Sequence, residues 1–299
     1  GVPTRINFII SQRIPFLTYQ PNILCPWEME KYETRSKRSS QCESLIIERT
    51  VLHQYWVANT FSMEAVFSIH LDHGDEEHAF DAIASNKYNS VMIDASHDDF
   101  NTNVKRTKLV VEKAHKKNIM VEAELGILSG KEDDISIDEK FAKYTNPDEA
   151  QSFVKETSCD SLAVAVGTSH GAYKFQGVEG IQFSILEDIQ RRLPNFPIVL
   201  HGGSAVNLEE IKRINLSGGN LDNGTAGVPS DEIVKAINYG VCKINIATDL
   251  RLLWARVHRE FFKNSPKLFD PVIPGKKYIE EFEKFMIKKF DLLGSFDKA

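Results

Sequence analysis

Three histidines in this 299-residue chain each close an apolar run and each stand beside a glycine. They are His73 in Ser68-Ile69-His70-Leu71-Asp72-His73-Gly74, His170 at the end of Ala163–Gly171, and His201 in Ile198-Val199-Leu200-His201-Gly202-Gly203-Ser204. Asp72 immediately precedes the first. Three neutral imidazoles around an open position suit a catalytic Zn²⁺ or a similar divalent ion, which can polarise a carbonyl or enediolate oxygen. A lone histidine in an apolar strand is more often a core or interface residue. Three in the same setting are hard to explain as packing. His70 keeps the packing reading because it alternates with His73, and His53, His78, His97, His115 and His258 read as solvated or supporting.

Other polar residues close further apolar runs: Asp94 with Ser96, Glu122 and Glu124, and Asn245 with Asp249. Each has a plainer reading. Asp94 could cap the next segment, and Glu122 and Glu124 share one strand face at period two, so only one need reach a site. Gly202-Gly203-Ser204, and Gly167-Thr168-Ser169 with Gly171 and the nearby Lys174, offer backbone N–H groups, hydroxyls and a cation. That combination suits phosphate, although a glycine pair is also simply a tight turn. A metal beside a phosphate cradle suggests a phosphorylated sugar.

To bring these residues together the elements must be parallel strands that end at one rim. From about residue 67 short, near-continuously apolar runs alternate with helical patterns, as strands buried on both faces require. Strands are expected at 67–71, 90–95, 120–125, 161–166, 197–201 and 242–247. Helices are expected near 75–86, 101–117, 147–157, 183–193, 207–214 and 230–239, with two more near 248–263 and 276–293. Asn146-Pro147 reads as an N-cap with proline at the first helical position. Six such units, plus two in residues 1–66, make an eight-stranded α/β barrel, (β/α)₈, as a single domain over 1–299. A doubly wound sheet is the alternative, disfavoured because no GxGxxG opens a helix after the first strand. Within 1–66, Ile6–Ile10 and Asn22–Cys25 are strand candidates and Lys31–Ser40 is highly charged. The stretches 129–145 and 217–229 read as mobile loops of lid length.

Composition narrows the class. A formal net charge of -6 argues against a nucleic-acid binder. Cys25, Cys42, Cys159 and Cys242 are widely spaced with no CxxC pair, which fits reduced thiols in a cytoplasmic protein. No apolar run is long enough to span a bilayer and residues 1–20 lack a signal-peptide layout. The chain opens Gly1-Val2-Pro3 without Met, so a trimmed preceding segment is expected.

The segments His-Leu-Asp-His-Gly (70–74), Val-Met-Ile-Asp-Ala-Ser-His (91–97), Val-Glu-Ala-Glu-Leu-Gly (121–126), Gly-Thr-Ser-His-Gly-Ala-Tyr-Lys (167–174), Leu-His-Gly-Gly-Ser (200–204) and Lys-Ile-Asn-Ile-Ala-Thr-Asp (243–249) resemble the class II, metal-dependent ketose-bisphosphate aldolases. They are most similar to the shorter subgroup acting on fructose 1,6-bisphosphate. The resemblance covers roughly 67–295, with 1–66 divergent. It implies a barrel enzyme that cleaves the sugar bisphosphate reversibly into dihydroxyacetone phosphate and glyceraldehyde 3-phosphate, in glycolysis or gluconeogenesis. By the same resemblance His73, His170 and His201 match the zinc ligands. Asp72 matches the acid at the C4 hydroxyl and Glu132 the loop acid that moves the proton at C3. Asp94 and Glu124 match carboxylates that orient the histidines or hold a secondary metal. Gly171, Lys174, Gly202, Ser204, Asn245 and Thr248 match positions around the phosphates and a monovalent cation, Na⁺ or K⁺. Arg251 falls where some relatives reach the substrate of a neighbouring subunit, and Asn7 matches an asparagine near the first strand end. A homodimer or homotetramer is implied.

Ala247 departs from the pattern, since many fructose enzymes have Asp there and tagatose-bisphosphate aldolases do not. The Gly-rich 217–229 insertion favours fructose, with tagatose the alternative. A barrel metallohydrolase would leave the phosphate turns without a role, and a scaffold that has lost catalysis would lack turnover.

Overall fold

The apolar runs of the alternating region form parallel strands, and the polar-apolar stretches between them form helices. The computed structural model describes residues 7–9, 68–127, 129–132, 135–137, 143–170, 180–222 and 227–295, with side chains left undescribed at 7–9, 129–132, 135–137 and 169–170. All belong to one of the chain's two units, residues 1–12 with 67–298; the other, 13–66, lies outside the described residues. The expected strand at 22–25 and the charged stretch at 31–40 lie there too.

In chain order the elements are β1 Asn7–Ile9, β2 His70–Gly74, α1 Glu76–Ser85, β3 Ser90–Ile93, α2 Phe100–His115, β4 Met120–Leu125, β5 Ser129–Glu132, β6 Ile135–Ile137 and α3 Pro147–Thr157. They continue as β7 Ser161–Val164, β8 Ser169–His170, α4 Phe183–Arg192, β9 Ile198–Leu200, α5 Leu208–Leu216, α6 Ser230–Ile237, β10 Val241–Asn245, α7 Thr248–Asn264 and α8 Val272–Leu292. Capping chemistry fixes several helix starts. Asp75, Asp99, Asn146 and Asn207 each accept hydrogen bonds from first-turn amides, and Pro147 follows its cap as expected. Asn86 and Ser158 end α1 and α3 in the left-handed region, at φ 55° and 58°.

Seven strands form one sheet in the order β1-β10-β9-β7-β4-β3-β2, and every pair is parallel. Each strand from β2 onward lies beside the next one of the sheet, and β1 pairs with the last. The winding never reverses, unlike a doubly wound sheet. The sheet curls, because Asp72 on the edge strand β2 accepts a hydrogen bond from Asn245 on β10, across the sheet, at 3.0 Å.

Strand alternation sorts the side chains. Val91, Ile93, Val121, Ala123, Leu162, Val164, Ile198 and Leu200 face out and form the main core with Ala79, Ile83, Val110, Val111, Phe153, Leu186 and Ile189 of the helices. Met92, Ala163 and Val199 face in and form a small cluster of their own. The remaining inward positions are polar, and they make the site.

Two expectations need correction. The first strand of this region runs to Gly74 rather than stopping at residue 71, so Asp72 and His73 lie inside it. The 129–145 stretch, expected as a loop, carries β5 and β6, an antiparallel pair that joins β8 in a second, three-stranded sheet. The alternation Ile135-Ser136-Ile137 is a strand pattern that the surrounding charge obscures.

Candidate active site

In a regular strand, neighbours point to opposite faces. Asp72 and His73 escape this rule by a bulge. Leu71 pairs with Val91 but Gly74 pairs with Ile93, so β2 spends one extra residue, and His73 absorbs the kink at φ 44°. A histidine in the left-handed region is strained, and here the strain turns acid and imidazole toward the same interior.

His73 Nδ1 lies 2.9 Å from Asp94 Oδ2, while Asp94 Oδ1 accepts from the Ser96 amide and hydroxyl at 3.1 and 2.7 Å. Glu124 Oε2 is 3.8 Å from the same His73 nitrogen. Across the interior, His201 Nε2 lies 2.8 Å from Glu122 Oε1. Asn245 Nδ2 is also 3.2 Å from that nitrogen, but a carboxylate can only accept, so the shorter contact fixes the proton on Nε2. With both far nitrogens protonated toward carboxylates, the two near ones, His73 Nε2 and His201 Nδ1, are lone-pair donors. They face each other at 2.9 Å. Lone pairs facing at that distance suit a shared cation, whether a proton or a metal ion.

Ligand atoms of Asp72, His73 and His201 all lie within 4.8 Å of one another, and so do those of His73, Asp94 and Glu124. Imidazoles whose far N–H groups are held by carboxylates are the usual partners of a divalent ion. Asn245 Oδ1 and Thr168 Oγ1, both buried at strand ends, have no hydrogen-bond partner among the described residues. These observations fit a metal and an oxygen-rich ligand at this rim.

The electrostatics follow from burial and neighbours. Burial pushes the Asp72 carboxyl up, but the imidazoles of His73 and His201 and the Lys243 ammonium outweigh it and hold it below the usual range. Asp94 is raised by burial and drawn well below the usual range by His73 and Ser96. Glu122 is raised by burial and drawn well down by Lys243 and His201. Burial lowers His201 and takes His70 down to about 4. Asp72 is therefore ionised at neutral pH, ready to accept a proton, and its Oδ1 is held by Asn245.

The phosphate-type turn is built on the next strands. Gly203 N donates to Asn245 O, the Ser204 hydroxyl accepts from Thr248 N, and Gly202 sits at φ 65°. Asp249 accepts from the amides of Ala205 and Val206 and meets Lys289 at 3.2 Å, so its role is to shape this turn. Thr248 opens α7 behind Ala247, which makes no side-chain cap.

The structure thus brings together Asp72, His73, Asp94, Glu124, His201, Ser204, Asn245 and Thr248, with Gly202 in the turn. Arg251 lies exposed on the first turn of α7. His170 is placed only by its backbone, where β8 pairs Gly130↔His170 with the strand that carries Glu132. Gly171 and Lys174 lie outside the described residues, and the side chains of Asn7, Glu132 and His170 are likewise not described. Lys243 is the residue that the sequence reading passed over, and Glu122 was weighed beside Glu124 without being given a role. Each stands two positions before an assigned residue on the same strand face, which is the signal that could have found them.

The family profile described as fructose-bisphosphate aldolase class-II matches residues 40–298, beginning inside the part expected to diverge. Fructose-bisphosphate aldolase of Thermus caldophilus is 43% identical over 235 residues, 78% of this chain and 75% of that protein. The Treponema pallidum protein of the same name is 39% identical over 262 residues, covering 81% and 76%. Among solved structures, the YdjI aldolase from Escherichia coli K12 is 26% identical with a TM-score of 0.60 over 84% of this chain and 77% of that one. Fructose-bisphosphate aldolase from Campylobacter jejuni shares the fold, at 21% identity and a TM-score of 0.57 over 78% and 72%.

Proposed function

The chain belongs to the class-II fructose-bisphosphate aldolase family, and from that premise we propose that it cleaves fructose 1,6-bisphosphate reversibly to dihydroxyacetone phosphate and glyceraldehyde 3-phosphate. The observation that carries the reading is the facing pair His73 Nε2 and His201 Nδ1, each backed by a carboxylate and flanked by Asp72. His170 is the proposed third ligand and Zn²⁺ the proposed ion. When bound, the ion supplies a Lewis acid that offsets negative charge developing on the ketose carbonyl oxygen.

The residues supply the rest. Asp72 takes the C4 hydroxyl proton; the O–H pair becomes the new aldehyde C=O as the C3–C4 bond breaks, and the bond pair remains on C3 in the dihydroxyacetone-phosphate half. Asn245 holds Asp72 in place for that transfer. Glu132 returns a proton to C3. Gly171, Lys174, Gly202, Ser204 and Thr248 hold the phosphates with a monovalent cation, and Arg251 serves a neighbouring subunit in a homo-oligomer. The seven parallel strands, wound in one direction, favour a (β/α)₈ barrel. The relatives' name and the 217–229 insertion favour fructose over tagatose, whatever Ala247 contributes.

The test is cleavage of fructose against tagatose 1,6-bisphosphate, with EDTA, with restored Zn²⁺, and with borohydride. EDTA-sensitive, borohydride-resistant cleavage of fructose 1,6-bisphosphate is expected. Borohydride trapping would mean a lysine Schiff base instead, and a tagatose preference would make position 247 the epimer determinant. No cleavage of either sugar would leave a scaffold.

A further inference from the structure

Beneath the facing imidazoles lies a deeper chain of contacts. Lys243 stands two residues before Asn245 on β10 and reaches inward to Glu122 Oε2 at 2.6 Å. The other oxygen, Oε1, meets His201 Nε2 at 2.8 Å. The side chains of Lys243, Glu122 and His201 are 7%, 2% and 1% exposed. A buried ion pair in the middle of a sheet interior is weak evidence of stabilisation, because apolar residues of similar size commonly do as well. The pair therefore calls for another account, and its geometry gives one.

We propose that Glu122 is a positioning residue for the metal centre and Lys243 its anchor: together they hold the Nε2 proton of His201, so that Nδ1 presents its lone pair beside His73 Nε2. This rests on the metal reading above. Each Glu122 oxygen has a separate task, one turned to the cation and one to the ring, so the carboxylate cannot rotate away from His201 without abandoning Lys243. The opposite imidazole has the same construction, with Asp94 on His73 Nδ1 and Ser96 holding the other Asp94 oxygen. The two sides differ in their anchors, a hydroxyl and an amide for one and a buried ammonium for the other. His70 approaches Glu122 Oε2 only to 3.7 Å and is tied by Nδ1 to Ser90 at 2.7 Å, so it cannot replace the lysine.

The test compares wild type with the neutral pair Glu122→Gln/Lys243→Met. Zn²⁺ affinity is read by chelator competition, ligand field by the visible spectrum of the Co²⁺-substituted protein, and folding by the melting temperature. The expected result is a double variant that melts near wild type, binds Zn²⁺ about 10–100-fold more weakly and has a shifted Co²⁺ spectrum. A folded double variant with wild-type affinity and spectrum would reduce the pair to an ordinary ion pair and overturn the inference. Should that variant not fold, Glu122→Asp keeps the charge near Lys243 while drawing the carboxylate back from the ring. Weakened Zn²⁺ binding in Glu122→Asp supports the positioning role and unchanged binding overturns it. A wild type that binds no divalent ion would instead remove the metal reading itself.

Discussion

Asp72 and His73 are adjacent in sequence and act on the same small volume, which an unbroken strand would forbid. The bulge at His73 resolves this, and its cost in backbone strain is typically about 1–3 kcal/mol. Because Asp72 is ionised and held by Asn245, its proposed task is proton transfer rather than ligation. Asp72→Asn should lower kcat by about 10²–10⁴ while the protein still binds Zn²⁺. Loss of metal in parallel with rate would make Asp72 a ligand and not the base. At this scale the residue types were legible and their partners were not. His-Gly after an apolar run announces a strand-end histidine. Which carboxylate meets which ring nitrogen depends on register, and neither the bulge nor the reach of Lys243 across to Glu122 leaves a mark in one strand's own sequence.

Among the elements, the turn 202–206 shows how close packing dictates residue type. A Cβ on Gly227 would lie 2.1 Å from the Ala205 carbonyl carbon and 2.4 Å from Ser204 O, both backbone atoms that can yield only by moving the turn. Since Ser204 and Thr248 meet there, Gly227→Ala should raise KM for the bisphosphate about tenfold or more, the size of losing one good hydrogen bond to a charged group. Zn²⁺ affinity should be unchanged. A variant with wild-type KM would separate this turn from phosphate binding. Helices and strands from residue 70 onward were readable because the chain switches cleanly between continuous apolar runs and capped amphipathic stretches. The β5–β6 pair was not, since its residues are charged and its pairing with β8 is non-local. Asp249 was legible as a strand-end acid but not as a clamp, because its amide partners lie more than forty positions earlier.

For the molecule as a whole, buried neutral imidazoles tie stability to pH. Burial holds His70 at about 4 in the folded protein, below its ordinary value, while the unfolded chain takes up the proton near 6.5. The folded form is thus fully favoured above about pH 6.5 and loses stability as pH falls from there toward 4, by up to about 3 kcal/mol from this residue. His201 is shifted the same way by burial. Urea midpoints of metal-stripped protein at pH 7.5 and pH 5 should show the drop, and His70→Gln should shrink it. An equal drop in the variant would assign the dependence elsewhere.

The pairing of the first strand with the last also governs how the molecule is made. Asn7 and Ile9 leave the ribosome more than two hundred residues ahead of their partners Lys243 and Asn245. Until then β9 presents an unpaired edge, the kind of surface that invites pairing with another chain. Glu122 has no lysine to answer it and Asp72 no amide to hold it. Synthesis of β10 therefore closes a window of vulnerability in the nascent polypeptide, and the competence to keep a metal arrives at the same moment as shelter from aggregation.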